Sequence, residues 1–594
     1  MDRRYPPSHP RRERWWEGEL AADLSAAVRG ATRTDTTTWL FAHKLAYDLT
    51  LTQLPELLDA AMWTWTRGHF GSGSPWFSFS SGSRRLTCVD SYSYLPTSIE
   101  QLGRDLWIPK LAMPDEDAPL AEWQARCRRD VEILREAMVQ LLDWWDGGQL
   151  GSWSVTGAQT GWNCWRHTTP GPLMEIHADE ELRRFERSAG YGGRRDAFRV
   201  GELSDGPYVE LDMALAHSRI LRDHSVPIWH QETRDHLALD DPLWVTKRWG
   251  AIADCVVRTE EPSWPLRTSA GVEYPVGEFA TRLAWPELCE ARRRRELVSV
   301  GRCEVYLLGR PFESWMTWLI EGLTGRRSVP AAAWWAMKGW SRTVPGKLAS
   351  HRSRPILTTE AEPGFRVERG AIASEGGVVP SETVTLGRRM RVVARDAEGL
   401  DANPAAYAFV TSWQRLALWS LVEQVGPRNV VLVNTDGLVA TTSIRSCSAL
   451  GIPVRTKAVL TRLRVLSGWE WTGEGEGKVV RKLCGVPGGA VETDPWVWDG
   501  EAWPGVPDQL SRGEPGTYRV VRMTIDVHDA HPIAGVDAGG RVIPRRWLVD
   551  GAGRNHLVAE PGGPAERPRA TRSHRPGSTA AGVARGRRGP TPDP

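Results

Sequence analysis

The sequence predicts a multidomain α/β and α+β fold, on three observations. At 594 residues, 41% of them apolar and 25% charged, the chain has material for three or four separate cores. Apolar runs of strand length alternate with stretches of helical periodicity along most of it. From residue 560 onward the composition turns to Pro, Gly, Arg and Ala, which cannot bury a core, so residues 560–594 are expected to be a disordered tail.

The elements follow in order. Residues 39–48 alternate and then run apolar, predicting a strand that ends near Asp48, with mixed periodicity over 49–65. A Gly/Ser-rich turn region spans 71–82, and 86–94 predicts another strand. Residues 122–145 carry Cys127, Val131, Leu134, Met138 and Leu141 on one helical stripe. The Gly/Trp/Thr-rich stretch 147–193, with an Arg cluster after it, reads as a connector, and a second body begins with a strand at 208–211. Two helices are predicted at 311–323 and 330–340 around a turn with Gly325, Arg326 and Arg327, and a long one at 405–425, ended by Gly426 and Pro427. After Gly485 the chain is Gly/Pro-rich with short strands such as 518–525. Adjacent Trp pairs (Trp144-Trp145, Trp334-Trp335) fall in helical stretches and are assigned mainly to cores.

Composition excludes several classes. A net charge of +2 carries no global polyanion signature, so a nucleic-acid surface must be a local patch. Only eight of the 75 basic residues are Lys, which makes surface Arg poor evidence and a Lys at a motif position informative. The eight cysteines show no Cys-x-x-Cys spacing, so neither a zinc cage nor a disulfide framework is indicated. No apolar run reaches the roughly 18 residues of a membrane span, and the Arg/Pro-rich start lacks a signal-like segment. A cytoplasmic protein without membrane association is expected.

Three segments carry chemistry. In 430–442 (VVLVNTDGLVATT) the turn Asn434-Thr435-Asp436-Gly437 sits between two apolar strands and presents a carboxylate, although an Asp-Gly hairpin is also a common structural device. The strand Tyr208-Val209-Glu210-Leu211-Asp212 ends in a second carboxylate, equally suited to capping the helix that follows. In AAWWAMKGWSRTVPGK, Lys338 projects from a helix, as an ion partner for phosphate or as an ordinary solvated Lys. Two carboxylates from separate strands suit a pair of Mg²⁺ ions, set about 3.5–4 Å apart, that holds a triphosphate and activates a hydroxyl.

In this order the segments resemble the motifs of family B DNA polymerases, in the small phage, linear-plasmid and organellar branch that includes protein-primed enzymes. Motif A (D-x-x-S-L/A-Y-P) reads Asp212-Met213-Ala214-Leu215-Ala216-His217-Ser218, motif B (K-x-x-x-N-S-x-Y-G) runs from Lys338 to Gly346, and motif C (D-T-D-S) reads Asn434-Thr435-Asp436-Gly437. Arg481-Lys482-Leu483-Cys484-Gly485 is similar to the segment that contacts the primer end. Upstream, Ala42-His43-Lys44-Leu45-Ala46-Tyr47-Asp48 resembles the second exonuclease motif and Cys127-Arg128-Arg129-Asp130-Val131 the third, with Asp90 and Lys110 between them. The first exonuclease motif, a strand bearing D-x-E, is missing from residues 1–38.

The resemblance implies a ribonuclease-H-like 3′–5′ exonuclease domain followed by a right-hand polymerase of palm, fingers and thumb. The expected division is 1–150 exonuclease-like, 151–200 connector, 201–310 and 361–490 palm, 311–360 fingers and 491–559 thumb-like. It implies addition of deoxynucleotides to a primer 3′-hydroxyl with Mg²⁺ or Mn²⁺ on Asp212 and Asp436, and substrate contacts from Lys338, Arg326, His217, Gly346 and Lys482. Primer-template DNA and deoxynucleoside triphosphates are the implied partners, with a terminal protein as a further candidate primer. Several positions depart from the pattern. Asn434 replaces a carboxylate, His217 stands for the Tyr under the sugar, Arg342 and Pro345 replace the Asn and Tyr of the base-pair pocket, Lys44 stands for Asn and Arg126 for Tyr. Because the first exonuclease motif is missing, absence of proofreading is expected, and with these substitutions the rival reading is a catalytically inactive polymerase-like DNA-binding protein. A nuclease is disfavoured, because only Asp48, Asp130 and Asp90 remain to hold its metals.

Overall fold

A computed structural model describes residues 28–483, apart from breaks at 29, 33, 70–74, 116, 170–173, 200, 269–270, 375–376, 443–447, 466–469 and 476–477, and after them only short strands within 496–558. The segment 1–27, the tail 560–594 and most of the 491–559 region therefore lie outside the described residues.

The N-terminal unit is a four-stranded sheet in the order 37–42, 84–90, 76–81, 64–69, in which the first two strands run parallel and the others antiparallel. The helix Leu45–Thr52 packs against its parallel pair, and the longest helix nearby, Leu120–Gly147, packs on Ile99–Asp105. The 120–147 helix buries Ile133, Ala137, Met138, Leu141 and Trp145, whereas Cys127 is exposed and Val131 largely so. The expected stripe is thus exposed in the N-terminal part of the helix and buried only from Ile133 onward. The strand predicted to run to Asp48 stops at Ala42, because Lys44 turns into the left-handed region and the helix Leu45–Thr52 begins; Asp48 is helical.

The stretch read as a connector holds two helices, Gly157–Thr168 and Glu180–Ser188, each capped by a side-chain oxygen, from Thr156 and Asp179. Trp162 and Trp165 on the first are buried. The helix Ala331–Leu348 is pinned between this helix and 120–147. Gly161 lies so close under Trp340 that an added Cβ would come within 2.5 Å of the ring, and Trp340 also meets Trp144 and Trp145 at ring centroids of 6.1 and 5.7 Å. Such aromatic pairs add about 0.5–1.5 kcal/mol each beyond the area they bury.

A six-stranded antiparallel sheet forms the centre, ordered 448–449, 452–460, 208–213, 437–440, 430–434, 195–197. Behind it runs the helix Pro404–Val425, apolar around most of its circumference and buried accordingly, with Asn403 accepting the Ala406 N–H at 2.8 Å to cap its start and Gly426 (φ 86°) ending it. Residues 226–309 add a separate antiparallel sheet, ordered 277–284, 249–259, 297–309, 226–234.

The hairpin of His351–Ser374 and Gly377–Glu398 was not anticipated from the sequence. These strands are several times the usual length. Their polar positions do not alternate regularly, which hides the period of two. Phe365, Val367, Val384 and Leu386 enter the core of the N-terminal unit, beside Trp65 and Phe77. Arg391 lies 4.0 Å over the Trp65 ring and donates to the carbonyls of Trp65 and Thr66.

Candidate active site

Strand pairing builds the site. Asp212 lies opposite Gly437 in the antiparallel ladder, and the Met213 N–H donates to the Asp436 carbonyl at 2.7 Å, so the two aspartates, 224 positions apart, flank one junction. Glu210, Asp212, Asn434 and Asp436 line the same small cavity, floored by Leu432, Val439 and Trp471. Gly437 is required by closeness, since a Cβ there would fall 2.4 Å from the Leu211 carbonyl oxygen.

The turn itself differs from an Asp-Gly hairpin. Thr435, a β-branched residue, holds the left-handed conformation (φ 59°), which is disfavoured for such side chains and persists only where the surroundings impose it. Here they do. The Thr435 N–H donates to the Arg194 carbonyl at 2.7 Å, Arg195 Nε donates to Thr435 Oγ1 at 3.0 Å, and Gly193 packs so tightly that its Cβ would lie 2.7 Å from Thr435 Cγ2. Arg415, buried in an ion pair with Glu287, holds the neighbouring Gly192 carbonyl at 2.8 Å.

Cationic groups converge on the carboxylates. Arg455, directly across the ladder from Asp212, sends Nε and Nη2 to Asp212 Oδ2 at 3.0 and 2.8 Å. Lys457 Nζ lies 3.2 Å from Glu210 Oε1 and 4.0 Å from Asp212 Oδ1. Lys338 stands over Trp334 and Trp335, 4.8 and 4.4 Å from their ring centroids. Burial, then the charges of Arg342, Arg455 and Lys457, lower its pKa. Burial also lowers the pKa of His217 against the opposing pull of Asp436 and a hydrogen bond with Gln414, with Arg342 again acting downward.

Of the residues singled out from sequence, Asp212, Asp436, Lys338 and His217 are thus brought to one region. Arg326 is exposed in the turn after Glu313–Leu323, where its charge acts on Arg219, and no hydrogen bond or ion pair joins it to the carboxylates among the described residues. Gly346 is an exposed helical residue, and no atom lies within 4 Å of where its Cβ would be. Lys482 belongs to the strand Lys478–Leu483, opposite Trp471; its side chain lies outside the described residues. Arg455 and Lys457 were missed. The signal was present, since two basic residues spaced by two on a strand share a face and Lys is rare in this chain. Glu210, two before Asp212, was legible by the same rule.

The upstream group is also close-knit. Asp90 accepts the backbone N–H groups of Lys44 and Tyr92 at 3.0 and 2.8 Å. Burial pushes Asp90 up to about 6, and burial and the Asp90 charge push Asp48 up to about 6. Asp130 is ion-paired to Lys110 at 3.1 Å and to Arg126 at 3.5 Å, and His43, held by Ser91 and Thr97, feels both Lys110 and Asp130. Among the described residues no group of three or more His, Cys, Asp or Glu side chains is arranged to hold a metal ion. No described helix is long and apolar enough to cross a membrane.

Over most of its length the chain shares its fold with a solved DNA polymerase. The chain is similar to phi29 DNA polymerase with primer-template DNA (TM-score 0.56, 15% identity, 78% of this chain and 86% of that one) and to an orthorhombic crystal form of the same enzyme (TM-score 0.54, 14% identity, 90% and 92%). The complex with single-stranded DNA aligns at TM-score 0.54 and 13% identity, over 77% and 82%. At such identities the likeness is one of fold. No family model and no curated protein sequence matches the chain.

Proposed function

We propose that this protein is a DNA-directed DNA polymerase that extends a primer 3′-hydroxyl with deoxynucleotides. The observation that carries the reading is the pairing of strands 208–213 and 437–440, which sets Asp212 and Asp436 at one cavity beside a cationic rim. Support comes from the fold it shares with phi29 DNA polymerase, which binds primer-template DNA and incoming nucleotide.

The donor set fits Mg²⁺ or Mn²⁺. These hard cations take oxygen ligands, and Mg²⁺ is commonly bound by one or two carboxylates together with substrate phosphates, so a preformed cage of three protein ligands is not required. Asp212 and Asp436 would hold the metal, whose chemistry there is to neutralise phosphate charge and acidify the attacking hydroxyl. The chain's own part is positioning. Lys338, braced on two indoles, offers an ammonium to the triphosphate, Arg342 adds a second positive charge, and His217, neutral at pH 7 because its pKa is depressed, lines the sugar side without opposing them. Proofreading is not expected, because residues 1–38 carry no strand with D-x-E and only Asp48, Asp90 and Asp130 would be left to hold the exonuclease metals.

The rival reading, a polymerase-like protein that binds DNA without chemistry, draws on Arg455 occupying Asp212. Primer extension with Mg²⁺ or Mn²⁺ separates the two. Extension that falls to background in Asp436→Ala supports the enzyme, whereas tight primer-template binding with no extension by the unaltered chain supports the rival.

A further inference from the structure

We propose that Arg455 is an exchange residue, clamping Asp212 while the site is empty and transferring its guanidinium to the triphosphate of an incoming nucleotide, which frees the carboxylate for a divalent cation. The inference rests on the polymerase reading and deepens it. Its basis is the geometry around Asp212. Arg455 places two N–H donors on Oδ2, at 3.0 and 2.8 Å, while Lys457 Nζ stands 4.0 Å from Oδ1. Both carboxylate oxygens therefore face a side-chain cation, and a metal that uses Oδ2 requires the guanidinium to leave.

The pair is built to separate. The Asp212 side chain is 16% exposed and that of Arg455 65%, so the acid is fixed in the sheet while the base reaches over it from the adjacent strand with its stem in solvent. Exposed ion pairs of this kind are weakly held, and a polyanion competes well for an arginine whose planar fork matches phosphate oxygens. The surroundings favour that transfer. Arg342, Arg455 and Lys457 lie near enough to Lys338 for their like charges to act on it, so the rim holds four cations waiting for an anion of high charge. A nucleoside triphosphate supplies that charge, and binding it relieves the mutual repulsion. Metal and nucleotide then bind in a coupled manner, each favoured by the displacement the other needs.

Two equilibrium measurements on the full chain test this without requiring turnover: Mn²⁺ binding in the absence of nucleotide, followed by electron paramagnetic resonance of free Mn²⁺, and binding of inorganic tripolyphosphate in the presence of chelator. Arg455→Gln, at an exposed position and checked by an unchanged denaturation midpoint, is expected to bind Mn²⁺ about tenfold more tightly and tripolyphosphate about tenfold more weakly than the unaltered chain. Unchanged or weaker Mn²⁺ binding overturns the proposal, and so does unchanged tripolyphosphate binding. Both shifts in a chain that shows no primer extension leave the exchange standing and sink only the polymerase reading; extension without the shifts does the reverse.

Discussion

Removing Arg415 should destabilise the protein more than removing Arg415 and Glu287 together. The two side chains are 2% and 1% exposed, and Arg415 Nε and Nη2 meet the two oxygens of Glu287 at 2.8 and 2.7 Å, while Nη1 donates to the Gly192 carbonyl at 2.8 Å. Burial alone would depress the Arg415 pKa, but the Glu287 carboxylate overrides it and holds the guanidinium charged. Arg415→Met leaves a buried carboxylate with no counter-charge, at a cost of about 3–5 kcal/mol, and the orphaned Gly192 carbonyl adds about 1 kcal/mol. In Arg415→Met/Glu287→Leu only the carbonyl term survives, so the loss shrinks to about 1–2 kcal/mol. Urea unfolding followed by Trp fluorescence measures this: the single variant should move the transition that contains the central sheet by roughly 1 M or more, the double variant by less than half as much. Equal losses, or a single-variant loss under about 1 kcal/mol, would show that the pair is not desolvated and refute the reasoning.

Two further outcomes follow from neighbouring geometry. Asp48 and Asp90, with folded pKa values pushed up to about 6, bind protons more readily in the folded than in the unfolded state, so their contribution to stability is present at low pH and is lost as pH rises from about 4 through 6. Asp48→Asn removes a half-buried charge and its repulsion with Asp90, and should stabilise the N-terminal unit by about 1–2 kcal/mol at pH 7.5 and hardly at all at pH 4, read from denaturant midpoints at the two pH values; a pH-independent effect contradicts the assignment. Gly193→Ala forces a methyl group to 2.7 Å from Thr435 Cγ2, so the turn bearing Asp436 must shift; primer extension should fall at least about tenfold while primer-template affinity changes little, and an unaffected rate means the turn is not held from this side.

Local sequence was sufficient where chemistry and periodicity agreed within one element. The hairpin at Asp436, the strand carrying Asp212, the buried helix Pro404–Val425 and the helix bearing Lys338 were all legible, because apolar period and end signals lie within a few residues of each other. Fold class was legible to the same extent. Tertiary structure decided what those elements face. Only strand pairing sets Arg455 on Asp212, only the approach of residues 193–195 holds Thr435 in a left-handed turn, and only docking against the N-terminal sheet gives the hairpin at 351–398 its core. The physical reason is that periodicity records which side of an element is apolar, whereas the partner across a sheet is fixed by register, and register depends on residues hundreds of positions away.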